Sequence, residues 1–220
     1  MLQQVLAGLF DLLSPPACAA CTAPLDERSQ GFCEACRPLV ERAEPDKSAR
    51  DLDGCIYGGP LRDALHRFKY EGASELAKPL ASWLAQPVHS LLGRVDLVAV
   101  VPLHPRRLRA RGYNQSALLA RPVARWLDVP FAPGLLRRAR DTPPQVGLRW
   151  RERQAQLAGA FAVTRNVVGR AVLVVDDVRT TGATFDEARR ALCQAEASEV
   201  FTLALARAPL GPEDSAGESL

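Results

Sequence analysis

Three unbroken apolar runs constrain the fold of this 220-residue chain more than any other feature. They are "DLVAVVP" (96–102), "AVLVVDD" (171–177) and "VFTLALA" (200–206). Each is short, and none alternates apolar with polar residues. Each therefore predicts a strand covered on both faces. Helical stretches lie between them. "NQSALLARPVARWLDV", with Pro122 as a bend, follows the first run, and "TFDEARRALCQA" follows the second. Buried strands alternating with helices predict an α/β domain with a mostly parallel sheet. Upstream, "GCIYGG" predicts a short strand and turn. "PLRDALHRFKYEG" predicts a helix with Pro60 at its tolerated first position. "ASELAKPLASWLAQPV" predicts another, with Leu76, Leu80, Trp83 and Leu84 facing inward.

In such a sheet, ligands bind beyond the carboxyl ends of the strands. Two segments there stand out. The first is "VLVVDDVRTTGAT" (172–184). Its apolar run stops on Asp176 and Asp177, which can accept hydrogen bonds from vicinal hydroxyls. Thr180, Thr181, Gly182, Ala183 and Thr184 then lead into a helix, and Thr184 with Glu187 forms a T-x-x-E capping-box pattern. A glycine-containing loop at a helix N-terminus offers N–H groups to a phosphate. Acids for a diol beside amides for a phosphate suit a ribose 5-phosphate. The rival reading is the metal-binding acid of a nucleotide hydrolase. That needs a partner G-x-x-x-x-G-K-[ST], which the sequence lacks.

The second segment is "VPLHPRRLRARGYNQS" (101–116), read as a loop carrying Arg106, Arg107, Arg109 and Arg111. A diphosphate accompanied by magnesium would suit it, with His104, Arg106 and Arg107 as candidate contacts. Arginine dominates throughout: of 28 basic residues only Lys47, Lys69 and Lys78 are lysine. Two readings stay open: codon bias in a GC-rich genome, or selection of some arginines for bidentate phosphate contacts. Net charge is only +3.

Cys18 and Cys21, then Cys33 and Cys36, form two C-x-x-C pairs with eleven residues between them. Two such hooks supply a closed tetrahedral thiolate set for structural zinc, with no open position for catalysis. A disulfide pair is the rival, disfavoured because no export signal is evident. The segment between the proline pair and Asp46 is poor in large apolar residues, so a metal would supply its folding energy. Cys55 and Cys193 read as small core or helix residues. "MLQQVLAGLFDLL" reads as a short amphipathic helix ending before Pro15 and Pro16. It lacks the basic start of a signal peptide, and Asp11 interrupts its apolar part. No run is long enough to cross a membrane, and the expected compartment is the cytoplasm. The expected division is 1–46 (helix and four-cysteine zinc segment), 51–210 (α/β domain) and 211–220 (disordered tail).

"VVDDVRTTGAT" resembles the phosphoribosyl-diphosphate signature of type I phosphoribosyltransferases. The wider pattern resembles the ComF competence-protein family, a zinc ribbon joined to a phosphoribosyltransferase domain. It rests on "SPPACAAC" with "FCEAC", "YGGPLRDALHRFKYEG", "VPLHPRRLRARGYNQS", "RDTPPQ" with "RERQAQLAGAF", and "VLVVDDVRTTGAT". The resemblance implies a type I phosphoribosyltransferase-like sheet flanked by helices. It further implies that Asp176 and Asp177 hold the ribose hydroxyls and that residues 180–184 wrap the 5-phosphate. Three departures stand out: Arg179 where an aromatic is common, Gln156 where asparagine is usual, and "AEASEV" without a glycine. The family is associated with uptake of transforming DNA, alongside a helicase-like partner. Two functional readings follow. One is a phosphoribosyltransferase, with residues 137–153 and Trp150 as a lid. The other is a binding module whose arginines, Tyr113 and Trp150 hold single-stranded DNA.

Overall fold

The computed structural model describes residues 16–25, 29, 31–45, 49–139 and 159–209. The expected N-terminal helix, Gln156, Trp150, most of the candidate lid and the expected tail 211–220 lie outside them. Four strands form one parallel sheet in the order β1 (Asp51–Ile56), β6 (Glu199–Arg207), β5 (Ala171–Arg179), β2 (Leu97–Val100). The two longest, β5 and β6, lie at the centre. Their residues Val172 to Val175 and Val200 to Ala206 are buried, as unbroken apolar runs require. Short main-chain bridges cover both edges, Arg42 with Cys55 beside β1 and Phe131 with Val98 beside β2.

Helices α1 (Gly59–Tyr70), α2 (Ala77–Ser82), α3 (Ala85–His89) and α5 (Gln115–Leu127) share a buried cluster with Leu173, Val175, Phe201, Leu203 and Leu205 of the sheet. Helix α6 (Ala183–Gln194) joins a second cluster with Val172, Val174, Val200 and Ala204. A hairpin of β3 (Leu136–Arg138) and β4 (Phe161–Val163) packs on α6 and holds Arg137 of the candidate lid in β3. Among the described residues, no helix is long and apolar enough to cross a membrane.

Four local expectations change. The stretch 73–88 is not one helix but a 3-10 turn (Ser74–Leu76) followed by α2 and α3. Its inner face of Leu76, Leu80, Trp83 and Leu84 is nevertheless buried as expected. The segment 101–116 is not a loop throughout, because Pro105–Arg111 forms helix α4. Proline at the first helical position and a His104 cap favour that start. Strand β5 does not stop at the aspartates. It pairs with β6 as far as Arg179, carrying the acidic pair inside the sheet's rim.

The fourth change concerns the capping box, which does not form. Gly182, at φ 82°, caps α6 instead, so the helix begins before Thr184. A side chain at that left-handed φ would be strained. Glu187 is thereby freed for another task. Its buried carboxylate accepts from the Phe161 N–H at 3.4 Å and pairs with Arg190 at 2.7 Å, fastening the hairpin to α6.

Candidate functional site and metal centre

The carboxyl ends of β2 and β5 lie side by side. Val100 is in register with Val175, and the Val101 N–H donates to the Val175 carbonyl at 3.0 Å. This brings the arginine segment and the acid–threonine segment to one rim of the sheet. Among the expected site residues, Asp176 and Asp177 share the end of β5. Thr180, Thr181 and Gly182 form the turn, while Ala183 and Thr184 begin α6. The first helical bond runs from the Asp186 N–H to the Gly182 carbonyl at 3.0 Å. Helix geometry leaves the preceding amides without intrahelical partners, as at any helix start. The Thr181 hydroxyl stands 3.5 Å from the Ala183 N–H.

The two aspartates, equivalent on paper, have different surroundings. Asp177 is buried, and its Oδ2 faces the Lys69 ammonium at 3.0 Å. That oxygen has no directed hydrogen bond, so the ammonium is what balances it. Asp176 Oδ1 accepts from the Ser116 hydroxyl at 2.7 Å and from the Asp177 N–H at 2.9 Å. Burial and the neighbouring Asp177 charge push the Asp176 carboxyl up to about 7, only partly offset by Ser116, the Asp177 amide and Lys69. Asp176 is thus held well above the ordinary carboxylate range, whereas Asp177 faces the Lys69 ammonium.

His104, expected to touch ligand, accepts from the Arg106 N–H through Nδ1 at 3.1 Å and caps α4. Arg106, Arg107 and Arg109 are exposed on that helix and have no ion-pair partner among the described residues. Asn114 holds the next corner twice. Its side chain donates to the Val101 carbonyl at 3.1 Å and accepts from the Ser116 N–H at 3.0 Å, which sets Ser116 against Asp176.

Arg179, at the foot of the threonine turn, points back into the sheet. It donates to Asp53 at 2.8 Å and Thr202 at 2.8 Å, and covers the Phe185 ring at 4.4 Å. Arg189 of α6 meets Asp51 in the same network at 2.6 Å. The departure at Arg179 therefore ties the turn to β1 without adding a charge to the site.

Lys69 and Ser116 were not recognisable as site residues from the sequence. Lys69 left one trace: it is among three lysines in a chain that otherwise uses arginine. A compact ammonium fits a single buried carboxylate oxygen, where a guanidinium fork would not.

The four N-terminal cysteines form the second site. Their sulfurs all lie within 4.8 Å of one another, with Cys21 and Cys33 at 3.6 Å. Zinc bonds of about 2.3 Å in a tetrahedron put sulfurs about 3.8 Å apart, so the donor set fits zinc. Electrostatics agree. Burial raises the Cys18 thiol, but the amides of Cys21, Cys33 and Ala20 outweigh it and bring it down to about 6. Burial and the neighbouring thiols push Cys36 up to about 12. Four thiolates cannot coexist here without a cation.

No family model matches the chain. Competence protein F of Haemophilus influenzae is 33% identical over 87% of this chain and 96% of its own length. The DNA utilization protein YhgH of Escherichia coli is 36% identical over 89% and 99% respectively. Among solved structures, an adenine phosphoribosyltransferase aligns over 66% of this chain and 75% of its own, with 22% identity and a TM-score of 0.38.

Proposed function

The chain belongs to the family of competence protein F and DNA utilization protein YhgH, and from that premise we propose that it binds a ribose 5-phosphate ligand, phosphoribosyl diphosphate above all. The observation that carries this reading is the rim of β5. An acidic pair, one member held by Ser116 and the other by Lys69, leads through Thr180, Thr181 and Gly182 to the start of α6. Asp176 would accept from the ribose diol. The turn and the first amides of α6 would hold the 5-phosphate, where N–H groups and helix dipole favour an anion. The arginines of α4 would meet a diphosphate, with magnesium entering alongside it. In the enzymatic form of this reading, C1 loses diphosphate and an acceptor captures it. The chain contributes positioning and charge stabilisation.

The pH dependence tests the diol assignment. A carboxylate that accepts from hydroxyls must be ionised, so affinity should rise as pH climbs through about 7. Calorimetry in buffers of different ionisation enthalpy should show a proton released on binding at pH 6.5. The ligand's own phosphate, with a pKa near 6, also titrates. Asp176→Asn separates the two, because it removes the protein's share alone. The variant should weaken ribose 5-phosphate and phosphoribosyl diphosphate alike, by about 1.5–3 kcal/mol, roughly tenfold to a hundredfold. It should also stabilise the unliganded protein at pH 8. A carboxyl whose folded pKa is raised contributes stability at low pH that is lost as pH rises toward that value. Unchanged affinity in Asp176→Asn would refute the diol role.

A second reading is favoured by the three exposed arginines of α4, which could track a single-stranded DNA backbone. Its signature is counterion release. Replacing Arg106, Arg107 and Arg109 together should flatten the log–log salt slope by about 2, at roughly 0.7 per phosphate contact. Affinity that does not change between low and physiological salt excludes this account. A helicase-like partner would belong to the same reading, with the metal segment as its docking point.

A further inference from the structure

The last turn of α1 reads "RFKY", and four consecutive residues there reach four different parts of the molecule. Arg67 donates to the carbonyls of Cys18 and Ala19 in the first metal hook, at 3.1 and 2.8 Å. The Phe68 carbonyl accepts from the Tyr113 hydroxyl, between α4 and α5. Lys69 faces Asp177 at 3.0 Å. Tyr70 lies under the Arg111 guanidinium, 5.3 Å from its ring centre. The hook is pressed on this side of the domain by two further contacts. Phe32 meets Trp83 edge-on at 5.7 Å, and Gly31 leaves no room for a Cβ, which would lie 2.4 Å from Pro79.

From this geometry we infer that Arg67 is a positioning residue of the ribose-phosphate site: it fixes the last turn of α1 on the metal hook, so that metal in the four cysteines and ligand at Asp176 stabilise each other. The inference rests on the ligand reading above. Its physical basis is short. The carbonyls that Arg67 grips belong to the turn that the metal shapes. Two residues further along the same helical turn, Lys69 balances the buried charge of Asp177, which in turn bears on Asp176. A hook without metal leaves Arg67 only Glu71, 3.6 Å away on its own helix, which does not tie α1 to the hook, and Lys69 loses that anchor. Linkage makes the effect reciprocal: ligand must tighten metal binding by the factor by which metal tightens ligand binding.

The test uses the full chain loaded with zinc. Zinc affinity is measured by competition with a chromophoric chelator, with and without saturating ribose 5-phosphate. Ribose 5-phosphate affinity is measured by calorimetry on zinc-loaded and zinc-depleted protein. Ligand should raise zinc affinity roughly tenfold, within the usual range of coupling between sites. Zinc should raise ligand affinity by the same factor. Arg67→Met keeps the aliphatic stem and removes both donors. It should still bind zinc and ligand, but with the coupling factor near one. Wild-type protein that binds ribose 5-phosphate with unchanged zinc affinity overturns this inference alone. So does full coupling in Arg67→Met. Zinc-loaded protein that does not bind ribose 5-phosphate overturns the ligand reading and this inference together. If Arg67→Met fails to fold, Arg67→Gln, too short to reach both carbonyls, takes its place, and full coupling in that variant overturns the inference.

Discussion

Lys69→Met will destabilise the protein by about 3–5 kcal/mol, a large share of the roughly 5–15 kcal/mol typical of a whole domain. The substitution keeps the volume and removes the charge, leaving the Asp177 carboxylate buried with nothing to balance Oδ2. The pair itself need not be strongly stabilising. Breaking one side is costly because a solitary charge remains in the interior. The double variant Lys69→Met/Asp177→Asn should therefore recover most of the loss, which a double-mutant cycle in urea unfolding would read directly. Burial lowers the Lys69 pKa, but Asp177 outweighs it and the net shift is upward. A raised lysine contributes stability that is full below its ordinary pKa of about 10.4 and is lost only above it. Between pH 6 and pH 8 the cost of Lys69→Met should therefore not change through Lys69 itself, but it should grow as Asp176, whose ionised form Lys69 favours, loses its proton. A double variant as unstable as the single one would show that Lys69 acts through packing, not charge.

Zinc removal is the second large effect. The protein should bind one zinc per chain. Cys33→Ser or Cys36→Ser should unfold the cysteine segment, since structural zinc supplies about 10–16 kcal/mol of folding free energy in comparable small sites. The damage should spread beyond the hook. Cys18, Ala19 and Phe32 belong to the same buried cluster as Leu65, Phe68, Leu80 and Trp83. Hydrogen exchange should show lost protection in α1 and α2, while β5 and β6, central and buried, keep theirs. A fully folded, metal-free protein with four free thiols would refute the metal site.

The class of fold was legible in the residues alone, because an uninterrupted apolar strand has only one kind of surroundings available, a sheet covered on both sides. So was the four-cysteine cluster, since C-x-x-C spacing is a local property that survives folding unchanged. The position of Asp176 and Asp177 next to a glycine-containing helix start was legible for the same reason. Pairs distant in the chain were not, and there the three-dimensional packing decides. Lys69 and Asp177 are separated by more than a hundred residues, as are Arg179 and Asp53. No pattern in either segment announces the other. The capping box failed because Gly182, in a left-handed conformation, caps α6 and leaves Thr184 inside the helix, while β5 outran the aspartates because a strand's length is set by its neighbour's register. Helix α4 was hidden inside an arginine run read as a loop for its charge, although Pro105 stood at its first turn. Above all, the sequence presented two identical aspartates. Burial beside a lysine fixed one as an internal ion pair, while burial and that neighbour's charge raised the other, which Ser116 holds at the rim.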